Sequence, residues 1–316
     1  MGVLRRSTVG VVTTLLALSS AVGVVHCIGD GPGALPRLDG GGPGPGVDGG
    51  SPDGGQPGDD SGAWTSLKSI PGLVLWLRAD QDVKPGTVGD PVEHWLDQSG
   101  AGNDFKQPTV NNRPKYVTFG DGGNERGIEF DGTKQYLINE TVLGLKEGAA
   151  RTFLAVAKQA NASARAPLIT QADPGESGYF LYALEANSIP SNKYSVDFLG
   201  TGYIFDKATS TERFALHEML TSDIRKGDVK STRLEYRFNG VQQALVKIEP
   251  ANKDGADFTP LPTETRLAAF QVNKGGASEA TYYGGWVIAE VAVFNRRLTG
   301  PDLANAENDL KTRHGL

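Results

Sequence analysis

The chain has 316 residues and a net charge of −6, and it is rich in Gly (42) and Pro (18). Its length admits one large domain or two small ones, and the absence of any Lys/Arg-rich run excludes nucleic acid as a partner class. A single cysteine, Cys27, excludes an internal disulfide and a thiolate zinc site.

In chain order, residues 1–27 read as an export signal. "MGVLRRS" is a basic start, and "TVGVVTTLLALSSAVGVV" is an apolar run just long enough to span a bilayer. His26 and Cys27 follow. A Cys directly after the apolar run resembles the bacterial lipoprotein signal, in which that Cys is acylated and becomes the new N-terminus. The resemblance implies Cys27 as a lipid attachment site. The family pattern has a small residue before the Cys, where this chain has His26. Cleavage near "LSSAVG", or retention of the run as an anchor, are the alternatives. All three place the rest of the chain outside the cytoplasm. Ile28 stands where an Asp would mark inner-membrane retention, so the lipoprotein reading leans to the outer membrane.

Residues 28–63 are almost all Gly, Pro, Asp and Ser. They hold too little apolar surface to offset the entropy of ordering, and read as a disordered linker. A Gly-rich coil of this length reaches roughly 30–35 Å r.m.s.. The linker's six Asp outweigh Arg37 by five charges and the signal adds Arg5 and Arg6, so of the total −6 only −3 falls on the remainder. Residues 64–316 are therefore close to neutral.

From Trp64 onward the pattern changes to short alternating or apolar runs separated by Gly, Pro, Asn and Asp. Strands are expected at 73–78, 151–158, 179–185, 194–200, 213–221, 232–238, 244–249, 265–272 and 286–294. Asn239-Gly240 between two alternating runs signals a hairpin. One helix is expected, at the C-terminus. Thr299 is its N-cap, Pro301 and Asp302 lie in its first turn, Leu303, Ala306 and Leu310 form its inner face, and Gly315 ends it. Many short strands without βαβ alternation predict an all-β, antiparallel β-sandwich with one short C-terminal helix.

An ordered set of stretches then resembles the concanavalin A-like lectin/glucanase superfamily, in its laminin G-like jelly-roll branch. "GLVLWLRAD" (72–80) resembles the opening strand, and "VEHWLDQSGAGNDFKQ" (92–107) the following Trp-x-Asp-x-Ser-Gly loop. "NRPKYV" (112–117), "GIEFDGTKQYL" (127–137) and the closing 288–316 complete the series. The resemblance implies the jelly-roll fold. It leaves function open, because this fold hosts binding modules, enzymes and spacers.

Glu129 and Asp131, one residue apart on a strand, would share one face. Laminarinase-type relatives carry Glu-x-Asp-x-x-Glu there. This chain has Lys134 at the third position, so the pair reads as a strand end, with Phe130 in the core and Asp131 bonding its own turn. His94, His217 and His314 form no zinc spacing, and no nucleophile elbow is present. The Gly-rich loop offers Asp97, Ser99, Asn103 and Asp104. These are either turn formers or a candidate irregular calcium site, since Ca²⁺ favours such oxygens. Trp76 and Trp286 read as core. Trp95, Tyr282 and Tyr283 are candidate sugar contacts beside Asp97, Asn103 and Asp104.

The expectation is a surface-tethered, non-catalytic binding module for carbohydrate or another envelope polymer. A structural or adhesion module contacting protein is the alternative, and a divergent glycoside hydrolase the third.

Overall fold

The computed structural model describes residues 66–316, except 142, 144, 146–148, 162–164, 173–179, 189–191, 199–200, 223–232, 250–263 and 275–276. The expected export signal, Cys27, the linker and Trp64 lie outside the described residues.

In chain order the first strands are β1 (Leu73–Arg78), β2 (Val83–Lys84), β3 (His94–Trp95), β4 (Phe105–Lys106), β5 (Lys115–Phe119), β6 (Glu125–Asp131) and β7 (Leu137–Asn139). The middle strands are β8 (Arg151–Gln159), β9 (Ala166–Ala172), β10 (Phe180–Ser188), β11 (Lys193–Phe198), β12 (Thr201–Ala208) and β13 (Ala215–Thr221). Then come β14 (Leu234–Phe238), β15 (Val241–Gln242), β16 (Leu245–Glu249), β17 (Glu264–Leu267), β18 (Ala269–Lys274), β19 (Ala277–Tyr283) and β20 (Gly285–Phe294). Helix α1 (Gly300–Arg313) closes the chain.

An eight-stranded antiparallel sheet runs β15-β14-β13-β8-β20-β6-β5, with β1 added against β20. A ten-stranded antiparallel sheet runs β16-β12-β11-β10-β9-β17-β7-β4-β3-β2. Strands β18 and β19 form a separate hairpin. The architecture is the antiparallel sandwich with a single C-terminal helix that the strand pattern predicts.

Alternation along the strands explains the layers. Leu75, Leu77, Ile128, Phe130, Phe153, Ala155, Met219, Val291 and Val293 face inward, meeting Trp95, Phe105, Leu137, Val196 and Leu267 of the other sheet. The opposite side of the eight-stranded sheet buries Trp76, Leu154, Val156, Leu216 and Phe294 under Ala306 and Leu310 of α1. Each Val, Leu, Ile, Phe or Met among them contributes about 1.5–3 kcal/mol when fully buried. Thr299 has the extended backbone of an N-cap, but its side chain caps nothing.

Two details differ from expectation. The Asn239-Gly240 turn forms, with φ of 52° and 82° at its two residues, but its return arm is only Val241–Gln242. The run at 244–249 instead crosses to the ten-stranded sheet and pairs with β12. The run at 265–272 is not one strand: it breaks at Ala268, whose φ of 60° swings β18 out of register with β17.

His217 lies in the sandwich interior, hydrogen-bonded and not solvent-facing. Its Nδ1 is 3.0 Å from the Tyr236 hydroxyl, and the rings of Tyr194, Phe238 and Trp286 stand 5.0, 5.4 and 5.7 Å away. Burial, aided by Lys207 and opposed by a backbone bond at Ala157, pushes its pKa down to about 3, so the ring is neutral.

Under α1, Glu218 is fully buried. The Gly240 N–H donates to its Oε1 at 2.7 Å, and Arg237 Nε reaches Glu218 at 3.2 Å and Glu307 of the helix at 2.8 Å. Burial first, then the hydrogen bond and repulsion from Glu307, push the Glu218 carboxyl up from 4.5 to about 8, against the pull of Gly240 and Arg237. A raised carboxyl favours the fold in its protonated form. Its contribution is complete below about pH 4.5 and is lost as pH rises through about 8. Glu218→Gln should therefore flatten the decline in stability over that window, measured by urea denaturation at several pH values. Parallel wild-type and mutant curves would refute the assignment.

Candidate binding face on the ten-stranded sheet

The Asp97 loop is a hydrogen-bonded closure of β1. Asp97 Oδ1 accepts from the Trp76 N–H (2.8 Å) and the Ser99 N–H (2.8 Å). Its Oδ2 accepts from the Ser99 hydroxyl (2.7 Å) and the Asn103 N–H (3.0 Å). Asn103 Nδ2 donates to the Val74 carbonyl at 2.7 Å, and the Gln98 N–H to the Trp76 carbonyl at 2.7 Å. Asp104 Oδ1 accepts from the Asp97 N–H at 2.8 Å. The loop thus does for the free edge of β1 what a neighbouring strand would do.

In this arrangement Asp97, Asn103 and Asp104 serve as turn formers, one of the two roles expected of the loop. The Asp97 oxygens already accept two bonds each, and among the described residues no group of three or more His, Cys, Asp or Glu is placed to hold a metal. The sugar-contact reading of Trp95 is corrected by its burial. Its ring is 0% exposed and its Nε1 donates to the Arg78 carbonyl at 2.9 Å, so it offers no face to a ligand. Trp76 and Trp286 are core residues, donating to Glu290 at 2.6 Å and to the Ala166 carbonyl at 3.2 Å.

Glu129 and Asp131 do share the outward face of β6, since Ile128 and Phe130 point into the core. Asp131 Oδ1 accepts the N–H groups of Thr133 (2.8 Å), Lys134 (3.1 Å) and Gln135 (3.2 Å). Burial raises its pKa, but the bonds from the turn outweigh this and hold it below the ordinary value. Lys134 belongs to that turn.

A pocket of about 180 Å³ lies at the end of α1, lined by Asp80, Asn124, Glu125, Arg126, Arg313 and His314. Arg313 and His314 are already committed to Glu290.

Tyr282 and Tyr283 fall elsewhere, on the β18–β19 hairpin, which meets the outer side of the ten-stranded sheet at β9. The sheet's inward residues Val83, Trp95, Phe105, Leu137 and Leu267 fix which neighbours point outward. The outward residues Lys84, His94, Lys106, Ile138, Arg266 and Thr170 then stand in direct register across six strands. One outward step along, Asp104, Glu140 and Glu264 form an acidic row. Lys106 pairs with Glu140 at 2.6 Å, and Arg266 with Glu264 at 2.7 Å.

On the other side of the basic row is an aromatic one. The Arg266 guanidinium sits 5.4 Å over the Tyr136 ring, and Tyr136 lies 6.3 Å from Tyr283. Thr170 donates to the Ala269 carbonyl at 2.8 Å, which ties the base of the β18–β19 hairpin to this face. Tyr282 is 37% exposed, with the Arg165 guanidinium 5.2 Å over its ring and Arg165 paired to Asp197 at 3.3 Å.

Of the six candidate contacts, Tyr283 lies beside Tyr136 on this face with Asp104 at its border, and Tyr282 makes a separate contact with Arg165. Sequence reading missed Tyr136, Arg165 and Arg266. Their only signal was Tyr or Arg alternating with inward apolar residues.

No protein-family model matches the sequence, and no curated protein matches it. Among solved structures, Trypanosoma rangeli sialidase aligns at TM-score 0.49 and 12% identity, over 77% of this chain and 34% of that one. The binding domain of botulinum neurotoxin serotype D/C aligns at TM-score 0.45 and 12% identity, over 78% and 53%. A botulinum neurotoxin DC binding domain in complex with rat synaptotagmin II aligns at TM-score 0.42 and 12% identity, over 76% and 52%. The chain spans about a third of the sialidase and about half of the toxin chains.

Asp97→Ala removes four hydrogen bonds to a charged acceptor and should cost about 3 kcal/mol. The loss should be equal with Ca²⁺ and with chelator. A wild-type melting temperature that rises on adding Ca²⁺ would instead assign a metal to this loop.

Proposed function

We propose that this chain is an exported binding module of laminin G-like, concanavalin A-like type. It is tethered to the cell surface and takes carbohydrate or another envelope polymer on the outer face of its ten-stranded sheet. The observation that carries this reading is two aromatic–guanidinium contacts, Arg266 over Tyr136 with Tyr283 beside it, and Arg165 over the exposed Tyr282. Sugar rings present C–H faces that stack on aromatics and hydroxyls that bond planar charged groups, and this face supplies both. Helix α1 packs on the eight-stranded sheet, while Lys84 and Lys106 on the ten-stranded sheet are exposed.

The module is non-catalytic in this reading. Asp131 is engaged by its own turn, and Lys134 occupies the place of a third acid. Cys27 carries the lipid, the 28–63 linker sets the reach, and the tether raises the local concentration of the module at the surface. The location is the outer membrane.

A panel of polysaccharides tested against the full chain should yield a binder whose affinity falls about tenfold in Tyr282→Ala, the size expected for one aromatic contact. Binding indifferent to Tyr282 and Arg266 would move the site off this face. The N-terminal peptide of the expressed protein should begin at a diacylated Cys27. An unmodified Cys27 by mass spectrometry would remove the lipid anchor.

A further inference from the structure

Segments distant in the chain meet at the C-terminal end of α1: the end of β1, the turn that opens β6, β20 and the last turn of the helix. Between them lies the cavity of about 180 Å³. By the share of liquid volume that a water takes, it has room for roughly six waters, or for a molecule of similar size. Much of the charge around it is taken up inside the protein. Asp80 is held bidentately by Arg78, at 2.5 and 3.0 Å. Arg313 reaches Glu290, and Asp309 at 2.6 Å. His314 Nε2 lies 2.7 Å from Glu290.

Two lining groups of opposite sign are left over. Arg126 donates through Nη1 to the carbonyls of Gly123 (2.9 Å) and Glu125 (3.3 Å) and lies beside the Tyr116 side chain. Among the described residues no carboxylate stands within ion-pairing distance of it. The Glu125 carboxylate is 41% exposed, and its one basic neighbour among the described residues is His314 Nδ1, at 3.7 Å. That gap is too long for a hydrogen bond, so both atoms can bond a third group set between them. His314 Nε2 faces a buried carboxylate and is the donor, so Nδ1 of the neutral ring is an acceptor. Glu125 and Arg126 are successive residues at the start of β6 and point to opposite sides of the strand, which keeps them from pairing with each other. Both nevertheless line the cavity.

We infer that this cavity binds a small zwitterion, a free α-amino acid, with its carboxylate on the Arg126 guanidinium and its ammonium between Glu125 and His314 Nδ1. Charge selects this class. A lone anion would face Glu125 and Asp80, and a lone cation would face Arg126 and Arg313. A molecule carrying one charge of each sign leaves neither Glu125 nor Arg126 unmatched. A guanidinium binds a carboxylate through two parallel N–H bonds, which fixes the orientation of the ligand. The amino-acid core fills most of the volume and leaves room for a small side chain, such as that of alanine or serine. Single unpaired charges are ordinary on a surface. The convergence of both signs on one concave site is what points to a ligand. The site lies at the end of α1, apart from the tyrosines, and does not depend on the polymer reading.

The test uses the full chain in ligand-observed NMR titrations with free alanine and serine. Propionate and ethylamine, which are alanine without its ammonium and without its carboxylate, are the comparators. Alanine or serine should bind with a Kd between about 1 μM and 1 mM, the range open to so small a ligand. The comparators should bind about tenfold more weakly or worse, the scale of one lost charge-assisted hydrogen bond. Arg126→Gln should weaken the amino acid about tenfold or more. Arg126 also braces the turn before β6, so Glu125→Gln is the second variant. It removes a charge that accepts no side-chain hydrogen bond among the described residues, and should weaken binding about tenfold with the melting temperature unchanged. Propionate bound as tightly as alanine would overturn the zwitterion. Amino-acid binding unchanged in both variants would overturn the site. Absence of binding at about 1 mM, in a protein shown to be folded by circular dichroism, would overturn the inference and leave the polymer reading standing.

Discussion

A carboxylate taken out of water must be matched, and Glu290 is where this fold meets that requirement. It sits on β20, the strand that pairs with β1, β6 and β8, and it is 1% exposed. Burial alone would raise its pKa. The bond from His314, the charge of Arg313 and the Trp76 indole N–H together hold it below the ordinary value. His314 Nε2 lies 2.7 Å from Oε2, and Arg313 and Trp76 both reach Oε1. One side chain thus joins the central strand, the added strand β1 and the end of α1. Breaking such a pair leaves a buried charge without compensation, which is far costlier than losing a surface contact.

The consequence is an assignment of faces. With α1 anchored through Glu290 at its end, and through Arg237 and Glu307 midway, the eight-stranded sheet has its outer side sealed by an apolar layer. The ten-stranded sheet carries its polar and aromatic residues outward. Three rows lie side by side there: acidic, basic and aromatic. In each the cross-strand register, not sequence proximity, makes the neighbours. Arg266 joins all three, paired to Glu264, in register with Ile138, and stacked over Tyr136.

How far the sequence could be read follows from length and period. Strands of six or more residues, such as β1, β8 and β20, carry enough alternation or apolar run to be legible. The two-residue strands Val83–Lys84, His94–Trp95 and Phe105–Lys106 have no measurable period, yet each places one apolar and one basic residue on opposite faces. The basic row was hidden for that reason. The Gly-rich loop was legible as a turn or a site, because Asp97 has the same composition in either. Its structural role shows only in the bond from Trp76, whose N–H comes from a strand 21 residues away. Trp95 could not be assigned from its place before that loop. Its burial depends on β3 lying within the ten-stranded sheet, its ring turned into the sandwich.

By itself the sequence determined the fold class, the closing helix with its inner face, the Asn239-Gly240 turn, and the strand-end nature of Glu129 and Asp131. These follow from local periodicity, backbone preference and the hydrogen bonding of residues a few positions apart. Tertiary structure alone decided that Trp95 is core, that the run at 244–249 changes sheets, that His217 is neutral, and which sheet carries α1. It alone brought Lys84, Lys106, Arg266, Tyr136 and Tyr283 onto one face. The physical reason is that burial and cross-strand register are set by pairings between residues far apart in the chain, and no window of sequence contains both partners.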